Sequence, residues 1–136
     1  MVVKSKSQYG KTLTSTTLPH EEGHSLRYKD FKLLQLLGEG SFGQVFLVQC
    51  RLNNKFYALK TFQKKRIILG KQTRFVVSEV NILKQISSPF IVRLHFTFQT
   101  PHFIYLGLQY CPGKDLSRHL SEEGTFSETD TRLYAA

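Results

Sequence analysis

Leu37-Gly38-Glu39-Gly40-Ser41-Phe42-Gly43-Gln44-Val45 is the stretch on which the fold turns. Its centre is a GxGxxG run, a weak signal alone because glycine clusters also make ordinary turns. Context separates the phosphate-binding readings. A P-loop needs Lys where this chain has Gln44 after Gly43. A dinucleotide-binding fold needs a helix after the glycines and an acid about 20 residues on. The next segment instead holds Val45, Phe46, Leu47 and Val48, a strand composition, and the later stretch carries Lys60 and no acid. Strand, glycine loop, strand remains. Such a hairpin can lay the N–H groups of its tip over a polyphosphate.

Working outward, Phe31–Leu37 is an apolar run ended by Gly38, and Gln44–Cys50 is the second strand. Asn53-Asn54 signals a turn before a third strand at Phe56–Phe62. Residues 64–70 read as a short helix ending at Gly70. Residues 72–86 repeat Phe75, Val76, Leu83 and Ile86 at helical spacing. Leu94, Phe96 and Phe98 alternate with His95, Thr97 and Gln99, the pattern of a half-buried strand. Phe103–Gln109 is a fifth strand, broken by Pro112-Gly113. Asp115 caps a short helix stopping near Gly124, and Ser127-Glu128-Thr129-Asp130 resembles a capping box opening another. Residues 1–27 are polar and read as a flexible leader, with seven Ser/Thr between Ser5 and Thr17.

Charge points to one pair of residues. The chain carries 19 Lys+Arg against 10 Asp+Glu, a formal net of +9, which favours anionic partners. Eight bases lie between Arg51 and Arg74, yet Glu79 is the only acid from position 40 to 114. In the third strand Phe56, Ala58, Lys60 and Phe62 share a face, so Lys60 lies along an apolar stripe. Glu79 falls inside the apolar stripe of residues 72–86. A snorkelling lysine and an edge-of-stripe glutamate are the plain alternative. Two opposite charges on the wrong faces of their elements favour a buried pair, which would cost about 3–5 kcal/mol to break.

These features together resemble the amino-terminal lobe of a eukaryotic protein kinase: the glycine run, Tyr57-Ala58-Leu59-Lys60, and Glu79 nineteen residues later. Ser87-Ser88-Pro89-Phe90-Ile91-Val92 and Phe126-Ser127-Glu128 further resemble the AGC group of serine/threonine kinases. The resemblance implies an α+β fold: a five-stranded antiparallel sheet with a regulatory helix, then the first helices of a helical second lobe. It divides the chain into the leader 1–27 and a partial kinase domain 28–136, with the first lobe at 28–110 and the hinge and start of the second at 111–136. ATP, with Mg²⁺, is the implied cofactor. Catalytic roles fall to Lys60, holding the α- and β-phosphates, and Glu79, orienting Lys60. Gly38, Glu39, Gly40, Ser41, Phe42 and Gly43 would cover the phosphates. Leu37, Val45 and Ala58 would sandwich adenine, Leu108 would guard the back of the pocket, and Gln109 and Cys111 would bond adenine through backbone carbonyl and N–H. Asp115 would meet the ribose. Leu37, Val45, Ala58 and Leu108 serve equally well as core residues. Gln109 stands where the family often has an acid, and Gly107 is also unusual. A hydrophobic groove near Lys64, Ile68 and Ile104 would accept a hydrophobic-motif tail, beside protein substrates as partners.

The His-Arg-Asp loop with its downstream Asn, and the Asp-Phe-Gly segment whose Asp holds Mg²⁺, do not occur in the 136 residues. Two readings follow: the ATP-binding part of a serine/threonine kinase, or a non-catalytic kinase-like binding module or decoy. Length suits one domain. The longest apolar stretch, Phe103–Leu108, is too short for a membrane span, and no secretory signal follows Lys4 and Lys6. Cys50 and Cys111 form no CxxC pair, so a reducing compartment, cytoplasmic or nuclear, is expected. No nucleic-acid recognition motif accompanies the basic residues, and nucleic acid is not an expected partner.

Overall fold

The computed structural model describes residues 25–41 and 43–135. Most of the expected leader, and Phe42 of the glycine run, lie outside the described residues. A 3₁₀ turn at Tyr28–Asp30 leads into β1 (Phe31–Gly40), β2 (Gly43–Cys50) and β3 (Phe56–Gln63). Two helices follow, α1 (Lys64–Leu69) and α2 (Thr73–Gln85), then β4 (Leu94–Gln99) and β5 (Phe103–Gln109). Helices α3 (Leu116–Glu123) and α4 (Glu128–Ala135) complete the order. The strands form one antiparallel sheet in the order β1-β2-β3-β5-β4.

Alternation along the central strands sends apolar side chains to both faces, so the sheet has two cores. One gathers Phe31, Val48, Tyr57, Leu59, Phe96, Phe98 and Tyr105. Its rings stack closely, with Phe98 and Tyr105 centroids 4.5 Å apart. The other joins Phe62 and Leu106 to Ile67 of α1 and Val76 and Val80 of α2. That second core fixes α2 against the sheet, and therefore fixes Glu79.

Four local expectations change. Gly38 does not end the first strand: β1 continues to Gly40, with Gly38 paired to Val45 and Gly40 to Gly43, because the hairpin ladder runs almost to its tip. The covered stripe of α2 is Val76, Val80 and Leu83. Phe75, 70% exposed, and Ile86 stand outside it, since α2 meets the sheet along a narrower line than the periodicity suggested. Leu94 and Phe96 do not share a face. A bulge between them shifts the register, and Leu94 packs into the α2-side core while Phe96 enters the aromatic one. Nor is β4 covered on one side only: Thr97, on the face opposite Phe96 and Phe98, is 2% exposed. The cap of α3 matches expectation, with Asp115 Oδ1 accepting from Arg118 N at 2.8 Å. Ser127 Oγ likewise accepts from Asp130 N at the start of α4.

Candidate nucleotide site

Strand pairing collects the expected residues onto one face. Val45 lies opposite Lys60, and Ala58 lies opposite Leu108, so all four share the face on which Phe62 and Leu106 pack under α2. Leu37 falls in the register shift between Leu36 and Gly38, where β1 bulges above β2. Val45, Ala58, Lys60 and Leu108 are half-buried, a partly covered apolar surface with one charge in it.

The charge is paired. Lys60 Nζ donates to Glu79 Oε1 at 2.6 Å and stands 5.0 Å from the Phe62 ring centroid. The expectation of a buried pair is corrected, however: the two side chains are 31% and 38% exposed. Cover along β3 falls off from buried Phe62 to exposed Phe56, because α2 crosses only one end of that face. Lys60 sits at the rim of this cover. A pair so placed contributes about 1 kcal/mol or less, rather than the penalty of breaking a buried one.

The glycine hairpin is tied to β3 by a residue that sequence reasoning missed. Thr61 Oγ1 accepts from Gln44 N at 3.3 Å and donates to Gln44 O at 3.1 Å. No pattern in the sequence marks Thr61; only the β2–β3 register places it opposite Gln44. Gly43 belongs to the same contact. A Cβ there would lie 1.6 Å from the Thr61 carbonyl oxygen, so only glycine allows this approach of the two backbones. Gln44 Nε2 donates to Glu39 Oε1 at 3.4 Å across the hairpin.

At the far end of β5, Gln109 N donates to Arg93 O at 2.8 Å, anchoring the start of the connection to α3. Exposed Cys111 has no acceptor for its N–H among the described residues. Asp115 is exposed and engaged as the α3 cap. Gly38, Glu39, Gly40, Ser41 and Gly43 lie along the hairpin, whereas Phe42 is outside the described residues.

The expected groove takes a different outline. Lys64 and Ile68 line a cavity of about 520 Å³ with Leu69 and Phe103. Ile104 is not in that lining; the pleat of β5 packs it against the α2-side core instead. Lys64 Nζ donates to Gln99 Oε1 at 2.8 Å, and partial burial lowers the Lys64 pKa from the usual lysine value.

A five-stranded antiparallel sheet with a glycine hairpin between β1 and β2 and a lysine–glutamate pair joining β3 to α2 has the arrangement of a kinase first lobe. The protein kinase domain model matches residues 31–136, and the chain belongs to the protein kinase family. It is 44% identical over 108 residues to serine/threonine-protein kinase Sgk1-A of Xenopus laevis, covering 79% of this chain and 25% of that protein. Serine/threonine-protein kinase Sgk3 of Mus musculus is 37% identical over 133 residues, covering 90% and 27%. Protein kinase 3 of Dictyostelium discoideum is 42% identical over 111 residues, covering 82% and 12%. The chain thus spans about a quarter, or less, of the length of these relatives. It is part of a serine/threonine protein kinase domain of AGC type: the first lobe and the start of the second, without the catalytic loop.

Proposed function

We propose that the face carrying Lys60 binds ATP, and that this chain is the nucleotide-holding part of a kinase acting on serine or threonine side chains of proteins. The Lys60–Glu79 contact, with Lys60 opposite Val45 of the glycine hairpin's second strand, carries the reading. It holds an ammonium at a fixed place, beside half-buried Val45, Ala58 and Leu108 that suit a planar base. Backbone N–H groups of the hairpin from Gly38 to Gly43 would cover the phosphates. Leu37 would close over the base, Gln109 O and Cys111 N would bond its edge, and Asp115 would reach the ribose.

Protein kinases use ATP with Mg²⁺. Among the described residues no group of three His, Cys, Asp or Glu side chains could hold a metal ion, and the family's Mg²⁺-binding motif does not occur in the sequence. The residues present therefore fit the nucleotide and not its metal, and no step is routed through Mg²⁺. We further assign residues 28–110 to one structural unit and 111–136 to the next. The cavity at Lys64 and Ile68 would receive an aromatic tail segment. No helix among the described residues is long and apolar enough to cross a membrane, and two free cysteines suit a cytoplasmic or nuclear setting.

Equilibrium titration with a fluorescent ATP analogue tests the reading. Weak, saturable binding displaced by unlabelled ATP is expected. A signal that ATP cannot displace would overturn it.

A further inference from the structure

We propose that Glu122 is a positioning residue for the nucleotide site: acting through Lys114, it sets the course of the connection between β5 and α3. The proposal rests on the ATP reading above, which gives Cys111 N and Asp115 to the nucleotide. Both lie on this connection, one on either side of Lys114. The chain between them has to turn so that both meet one ligand.

Lys114 makes that turn in an unfavourable conformation. Its φ is 66°, in the left-handed region that a Cβ disfavours and that glycine adopts readily. The side chain is held. Lys114 Nζ donates to both carboxylate oxygens of Glu122, at 2.8 Å each, and Arg118 Nε donates to Oε1 at 3.3 Å. Those hydrogen bonds, from Lys114 first and then from Arg118, hold the Glu122 pKa below the usual carboxylate value. Helix α3 grips the connection at two further points. His119 Nε2 donates to Gly113 O, and Asp115 Oδ1 accepts from Arg118 N at 2.8 Å. The second bond fixes the Asp115 carboxylate and leaves Oδ2 without a partner among the described residues. No side chain of α3 is buried, so polar contacts rather than a core tie the helix to the connection. An exposed ion pair alone contributes little to stability, and a pair on a solvated helix is the ordinary reading. This one differs in what it restrains. Its far end is a strained backbone that relaxes elsewhere once released.

Two variants and their combination test the proposal. Glu122→Ala removes the acceptor and keeps a good helix former in α3. Lys114→Gly removes the donor but adopts the left-handed turn without steric cost. Backbone carbon chemical shifts at position 114, measured by nuclear magnetic resonance on the 136-residue chain without nucleotide, report the turn. In Glu122→Ala they should move from left-handed values toward extended ones. Affinity for a fluorescent ATP analogue should fall about threefold in Glu122→Ala and stay near the wild-type value in Lys114→Gly. Adding Glu122→Ala to Lys114→Gly should lower it no further. Unmoved Lys114 shifts in Glu122→Ala would overturn the proposal. So would an affinity loss of the same size in both backgrounds, since Glu122 would then act by another route. A chain that binds no analogue in any form would sink the ATP reading alone, and the Lys114 shifts would still decide whether Glu122 sets this turn.

Discussion

Glu79 Oε1 accepts from Lys60 Nζ at 2.6 Å, across the gap between α2 and β3, although neither side chain is buried. Such a contact stabilises the fold little. Its consequence is positional. Val76 and Val80 are buried on either side of Glu79 in α2, and Phe62 is buried two residues after Lys60 in β3, so both backbones are fixed and only the charged tips stay open to solvent.

Replacing Lys60 by Met should therefore leave stability within about 0.5 kcal/mol and lower affinity for an ATP analogue about tenfold. Urea denaturation and fluorescence titration of the same preparation separate the two effects. Unchanged affinity would remove Lys60 from the nucleotide site.

Thr61→Val tests the tie between hairpin and sheet. The change keeps the shape and loses both bonds to Gln44, so stability should fall by about 1–2 kcal/mol. Nucleotide affinity should fall with it, since the Gln44 backbone positions the glycine tip. Backbone amide exchange at Gln44 and Val45 should quicken in the variant. Protection equal to the wild type would show that Thr61 does not hold the hairpin.

Much of this was legible in the sequence because each cue was local. Period-two alternation marked β3, turn residues bounded the hairpin, and the solitary Glu79 pointed to Lys60. What was hidden depended on register. Thr61 acquires a role only opposite Gln44, and the bulge at the start of β4 separates Leu94 from Phe96, which alternation alone places together. The extent of burial was hidden for a similar reason. A helical stripe shows which side of α2 is apolar, but not how far across the sheet α2 reaches, and that reach decides that the Lys60–Glu79 pair stays part-exposed.

Gly107 is the site of a packing prediction. A Cβ there would lie 2.1 Å from Cζ of Phe96, a fully buried ring packed beside both Phe31 and Phe98. Gly107→Val should destabilise the chain by about 1–3 kcal/mol through overpacking. Because Gly107 adjoins Leu108 and Gln109, the shift should also disturb the nucleotide face. Phe96→Leu in the Gly107→Val background should recover part of the loss. Additive losses in the double variant, by thermal or urea denaturation, would place the strain elsewhere.

The pH dependence follows from His95. Its pKa is lowered in the folded chain, by burial first and then by Arg93 and Lys55, against about 6.5 when unfolded. Between the two values the unfolded chain binds the extra proton, so stability rises with pH there. The contribution is fully present above about pH 6.5 and is lost as pH falls through that region toward the lower folded value. His95→Gln should flatten this part of a stability–pH curve measured by urea denaturation from about pH 5 to 7. An identical slope in the variant would assign the dependence to other groups.

The last prediction concerns turnover by the 136 residues. Phosphoryl transfer is accelerated mainly by positioning and by charges set against the transferring group. Lys60 and the hairpin supply part of that environment. The His-Arg-Asp and Asp-Phe-Gly motifs, which would receive the substrate proton and hold the metal, do not occur in the sequence. A radiolabelled assay on serine-containing peptides should therefore show no transfer above background, even where ATP binds. Incorporation that co-purifies with the chain and disappears in Lys60→Met would show that some other side chain receives the proton. Of the three aspartates, Asp30 is buried in the 3₁₀ turn, Asp115 caps α3, and Asp130 in the first turn of α4 accepts from the Ser127 hydroxyl, so none is set to do so.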